Sequence, residues 1–177
     1  VQGKTSKDYT FDDVCATLST LAPFDWRGYL EQRVHGNSDA GLLDGLERAG
    51  YRLVYKPAPS RYVERALQGE GAPDFSYGLG IGVNSKGVVR SVGWNSPAFK
   101  AGLAPGATLV EVEGEPFSME RLAAAVSRRD PAGIALTVEL DRQKHSVRIA
   151  YDGGLRYPAL ERIPDRVDRL KQLLQAR

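Results

Sequence analysis

The period of the apolar residues changes once along this chain, and that change restricts it to a fold mixing helices with short strands. Phe11, Val14, Leu18 and Leu21 recur at helical spacing. From Phe75 to Tyr151 the apolar residues fall in short runs punctuated by glycine, the pattern of antiparallel strands and tight turns. With 177 residues and 42% hydrophobic content there is material for one or two compact cores. Lys+Arg 24 against Asp+Glu 22 leaves a net charge of +2, too weak a field to draw in nucleic acid or an anionic membrane. No apolar run approaches the roughly 20 residues of a membrane span, so no membrane insertion is expected.

The chain lacks the residues that usually carry catalysis. His35 and His145 are its two histidines, far apart and outside any H-E-x-x-H arrangement, and the single Cys15 excludes a multi-cysteine zinc site and a disulfide framework. No G-x-S-x-G, Walker or G-x-G-x-x-G pattern occurs. Cys15 sits within a helical pattern and is expected to be a plain buried or half-buried thiol. No catalytic and no metal-ligating residue is assigned.

Thr10 is an N-cap candidate, with Asp12 and Asp13 in the first turn and Pro23 ending the run. Asp25 caps a second helix carrying Trp26, Tyr29, Leu30 and Val34. A third is expected from Ser38 or Asp39, with Leu42, Leu43, Leu46 and Ala49 inward and Gly50 just past its end. Tyr51–Tyr55 alternates as a strand. These elements are too few to bury their own apolar faces, which implies a missing partner. Pro57 and Pro59 break the chain, Arg61–Leu67 reads as helical turns, and Gln68–Asp74 as linker. Strands are expected at Tyr77–Val83, Val88–Trp94, Leu109–Val112, Ile134–Leu140 and Ser146–Tyr151, the last two joined by a polar hairpin over Asp141–His145. Ser118 caps a helix to about Arg128, and Asp165–Gln175 forms a tail helix. Trp94 is expected to pack under the turn before Ser96 rather than stand out as an anchor. Arg162, Arg166, Arg169 and Lys171 interleave with Glu161, Asp165 and Asp168, an ion-paired solvated face rather than a phosphate track. The chain opens on Val1 with no signal-peptide pattern, so a piece of a longer protein is expected.

Tyr77-Gly78-Leu79-Gly80-Ile81 is the informative stretch. Alternating glycines between large apolar residues let successive N–H groups converge on a carboxylate, although the same glycines also suit a plain strand beginning. Ser96-Pro-Ala-Phe-Lys-Ala-Gly-Leu103, Gly106-Ala-Thr-Leu-Val-Glu-Val-Glu-Gly114 and the helix from Ser118 follow in order. Over residues 74–151 this resembles a PDZ domain of the kind attached to bacterial proteases. The resemblance implies that a peptide adds as a strand beside Ile81–Asn84, with its C-terminal carboxylate at Tyr77, Gly78, Leu79, Gly80 and Ile81. Val83, Met119, Ala123 and Val126 then line the groove, the last three sharing one helix face, while Leu122 and Ala125 turn to the core. All five helix side chains also fit a plain core. Three departures stand out: Ile81 replaces the common Phe, Ala107 the usual Asp, and Met119 a His found in some relatives.

The flanks carry a second resemblance. Tyr9–Val14, Leu21–Trp26, Gly45–Tyr55, Trp94–Leu103 and Gly153–Arg162 are similar to the C-terminal part of the glycyl aminopeptidase family, zinc metallopeptidases of the gluzincin type that contain a PDZ domain. This implies an α+β chain: residues 1–56 as the last helices of the catalytic domain, 57–73 as linker, 74–151 as a partly open PDZ-type barrel or sandwich with two helices, and 152–177 as a helical tail. It also implies that no cofactor is held here, that zinc belongs to the upstream catalytic domain, and that this domain is the chain's own partner beside a peptide or protein C-terminus. The parent would hydrolyse a peptide bond after an N-terminal residue with a zinc-bound water. A bacterial periplasmic or secreted location is expected. Two alternatives accompany this reading: a structural PDZ domain whose groove its own chain fills, and a PDZ domain from a trypsin-like serine protease, which the flanks disfavour.

Overall fold

A computed structural model describes residues 8–36, 40–67 and 73–175; the expected cap at Ser38 or Asp39, the side chain of Leu42 and most of the 68–74 linker lie outside what is described. In chain order the elements are α1 (Phe11–Leu21), α2 (Trp26–His35), α3 (Ala40–Arg48), β1 (Tyr51–Lys56), α4 (Arg61–Leu67), β2 (Ile81–Val83), β3 (Val89–Val92), α5 (Pro97–Lys100), β4 (Thr108–Val112), β5 (Glu115–Pro116), α6 (Met119–Ser127), β6 (Ile134–Leu140), β7 (Gln143–Ile149), β8 (Tyr157–Arg162) and α7 (Arg169–Leu174). The fold is α+β. Its strands form three separate antiparallel sheets, β1-β8, β2-β3 and β5-β4-β6-β7, with no closed barrel among the described residues. The chain divides into two compact units, one running up to Gly50 and resuming at Asp165, the other Tyr51–Pro164.

The first unit is helical. Thr10 caps α1 as its sequence suggests: the Asp13 N–H donates to Thr10 Oγ1 at 3.2 Å, and the Asp13 carboxylate accepts the Thr10 N–H at 2.8 Å. Asp25 caps α2 by accepting the Gly28 N–H. The Trp26 indole donates to the Ala22 carbonyl at 2.9 Å and meets Phe24 and Tyr29 edge-on. The tail returns to α3, where Arg169 N–H donates to Ala49 O and Arg166 to Glu47 O. Cys15 is the one buried apolar side chain among this unit's described residues, while Leu21, Val34, Leu173 and Leu174 stand exposed.

The Asp13 bonds fix how this cap responds to acid. Hydrogen bonds from Thr10 hold the Asp13 carboxyl below its ordinary value. Its contribution is therefore fully present above about pH 4 and is lost as the pH falls through the depressed folded value. An acid titration followed at the Thr10 amide by NMR is expected to show α1 fraying from that end, and Asp13→Asn is expected to abolish this pH dependence.

The second unit holds the main core. Alternate residues of β6, Ile134, Leu136 and Val138, are buried beside Leu109 and Val112 of β4, as their period of two requires. The β6–β7 hairpin pairs Ile134 with Ile149 through to Leu140 with Gln143. Its turn is two residues, Asp141 and Arg142, both at positive φ, as a type I′ hairpin demands; the longer Asp141–His145 loop read from the sequence is thus replaced by strand. Ser118 caps α6 by accepting the Arg121 N–H at 3.1 Å. Leu122 and Ala125 face the core as expected. The strand at Tyr157–Arg162 is an addition to those expected from the sequence. It pairs with β1 from Tyr51↔Arg162 to Lys56↔Tyr157, and Arg52 Nε meets Glu161 across the pair at 2.7 Å.

Candidate functional site

The site is built around the glycine loop. The Phe75 carbonyl accepts both the Gly78 N–H, at 3.2 Å, and the Gly80 N–H, at 2.9 Å. The loop thereby closes as a tight turn, and the strand expected from Tyr77 begins only at Ile81. Gly80 has φ +79°, outside the extended region and costly for a residue with a Cβ. Its carbonyl accepts the Gly93 N–H at 2.7 Å, and the Leu79 carbonyl accepts that of Ala98 at 3.0 Å. Two of the amides that sequence reasoning aimed at a ligand are turned back on the chain.

Leu79, Gly80 and Ile81 are buried, Gly78 is half-buried and Tyr77 is exposed. Of the groove residues, Val83, Met119 and Val126 are buried, at 9%, 8% and 2% exposure, and Ala123 is half-buried. Leu79, Ile81, Val83, Met119 and Val126 belong to one apolar cluster, and Ala123 packs against it. The structure thus brings the loop and the α6 face together around one set of apolar side chains. Ala107, which stands in place of the Asp usual in PDZ domains, is buried, and its carbonyl takes the Val89 N–H at 2.8 Å.

Residues that sequence reasoning missed lie just after β7. The Tyr151 hydroxyl donates to the Gly154 carbonyl at 2.8 Å and presses on the glycine loop: a Cβ at Gly78 would stand 3.0 Å from it. The Arg156 guanidinium lies 4.2 Å above the Tyr55 ring, itself 6.0 Å from the Tyr77 ring. Arg129 reaches in from beyond α6, its Nε 2.6 Å from where a Gly154 Cβ would stand. Burial pushes the Tyr151 pKa up, with Arg156 and then Arg129 acting in the opposite sense, so the phenol is neutral near pH 7. The available signal was slight, a Tyr-Asp-Gly-Gly turn after a strand with arginines on either side.

Trp94 corrects the expectation of a packed indole. It is 85% exposed, its ring 4.6 Å from that of Phe99, at a turn where Asn95 has φ +58°. Among the described residues no three His, Cys, Asp or Glu side chains gather as a metal site, and no helix is long and apolar enough to cross a membrane.

Against known structures, the chain aligns with the crystal structure of an aminopeptidase N family protein from Idiomarina loihiensis at a TM-score of 0.61 and 14% identity, over 93% of this chain and 28% of that one. The chain shares the fold of that segment. It spans 28% of the length of the protein it matches. The HtrA3 PDZ domain, solved with a phage-derived ligand, aligns over 63% of this chain and 91% of its own at 19% identity, but with a TM-score of 0.34, too low to bear on the fold. No protein-family model and no curated protein matches the chain.

Proposed function

We propose that this chain is the non-catalytic C-terminal part of a zinc-dependent aminopeptidase of the glycyl aminopeptidase type, and that its second unit carries a PDZ-like module binding peptide C-termini or extended segments to deliver substrate or regulate the enzyme. The carrying observation is the shared apolar cluster of the glycine loop, β2 and α6, because strand-addition sites pair a free sheet edge with side-chain pockets. The fold likeness to an aminopeptidase N family protein supports the peptidase association. In this reading zinc and its catalytic machinery belong upstream, and no step of hydrolysis falls to residues of this chain.

A second reading, a structural module closed by its own chain, is favoured by the Phe75 carbonyl taking two loop amides and by the deep burial of Ile81, Val126 and Leu79. An amide-resolved NMR titration with a mixed pool of short peptides, once with free carboxylates and once amidated, separates the two. Saturable shifts along Ile81–Asn84 and α6 are expected for a binding module. Silence at those amides in a folded sample favours the closed one.

A further inference from the structure

Within the second unit, two arginines distant in sequence lie near the glycine loop. Arg129 follows α6 and Arg156 precedes β8. Arg129 Nε lies beside Gly154, whose carbonyl takes the Tyr151 hydroxyl that abuts Gly78, and Arg156 stacks on Tyr55, whose ring is 6.0 Å from that of Tyr77 in the loop. Neither makes an ion pair among the described residues; Asp152, the acidic group near that hydroxyl, is bridged to neither. Arg156 is held in place by that stacking, its guanidinium 4.2 Å from the Tyr55 ring. A planar guanidinium fixed in advance loses little freedom on meeting a carboxylate. Meanwhile the Gly78 and Gly80 amides are already engaged by Phe75.

We infer that Arg129 and Arg156, arranged around Tyr151, form the carboxylate-binding site of this unit, in place of the amides of Gly78 and Gly80. The inference rests on the peptide-binding reading above and names which residues meet the ligand's negative charge. The ligand is a peptide carboxylate, from either a C-terminus or an acidic side chain. Charge-assisted bonds from a fork of N–H groups suit both sources.

The test titrates the full chain by amide-resolved NMR with three pools of acetylated tripeptides: free carboxylates, C-terminal amides, and amides with a central glutamate. Arg129→Gln, Arg156→Gln and the double variant are compared with the unaltered chain. Free-carboxylate peptides are expected to bind roughly tenfold more weakly for each arginine removed, with shifts centred on Tyr151 and Gly154. Equal loss for the glutamate amides assigns the site to carboxylates in general, and loss confined to the first pool assigns it to C-termini. Because Arg156 also packs on Tyr55, Arg156→Lys keeps the charge, and Arg129→Gln alters an exposed side chain, so one variant reports even if another unfolds. Unchanged affinity in the folded variants overturns the inference and leaves the peptide-binding reading standing. Absence of binding by the unaltered chain overturns both.

Discussion

Gly80→Ala is expected to destabilise the Tyr51–Pro164 unit by roughly 3 kcal/mol or more, from two costs that add. Gly80 has φ +79°, a conformation L-residues adopt with strain. The new methyl would also stand 2.1 Å from Ser96 Cβ and 2.5 Å from its Oγ. Ser96 cannot turn away cheaply, because its Oγ caps α5 by accepting the Phe99 N–H at 3.2 Å and its Cβ is fixed to the backbone. Gly102→Ala is the control: φ is +86°, yet nothing lies within 4 Å of the added methyl. That variant is expected to cost about 1 kcal/mol, the conformational part alone. Urea unfolding followed at strand amides measures both. Equal losses would show that the approach to Ser96 does not shape the loop.

Leu122→Ala comes next in expected size. Leu122 is 0% exposed and lies in the cluster with Ile81, Leu109 and Ile134. Truncation removes the transfer free energy of its branched end and leaves a cavity, together about 2–5 kcal/mol. Faster hydrogen exchange at the Leu109 and Ile134 amides, in proportion to the lost stability, is the expected observation. A change below about 0.5 kcal/mol, the scale of surface substitutions, would contradict the assignment of Leu122 to the core. Ala123, its half-buried neighbour, is the position from which the helix faces whatever the unit binds in the peptide-binding reading.

These sites also show what the sequence made legible. Local rules sufficed where one residue type has one physical use: Thr10, Asp25 and Ser118 cap their helices, and Ile134–Leu140 alternates inward and outward as written. They failed where a distant partner decides. Tyr157–Arg162 has a proline at its second position and no β-branched side chain, so nothing local marks it as a strand. It becomes one because β1 lies beside it, and Pro158 is tolerated in a two-stranded sheet whose strands are both edges. The beginning of β2 slipped to Ile81 for a similar reason, since the Phe75 carbonyl captures the amides that a longer strand would use. Trp94 carries the apolar area of a core residue, but no local rule tells whether neighbouring chain will cover it. Tyr151, Arg129 and Arg156 went unread because their meeting depends on the path of the chain after β7, which no spacing encodes.

The β1–β8 pair has a mechanical consequence. Tyr51, where the chain comes into the second unit, lies directly opposite Arg162, near where it leaves. Tension on the flanking chain therefore acts on the same end of both strands and unzips them one rung at a time, instead of shearing every rung together. Such a seam yields to small forces while the four-stranded sheet behind it carries no load. The whole unit can thus be tugged without being torn, its two threads drawing apart rung by rung until Lys56 and Tyr157 part.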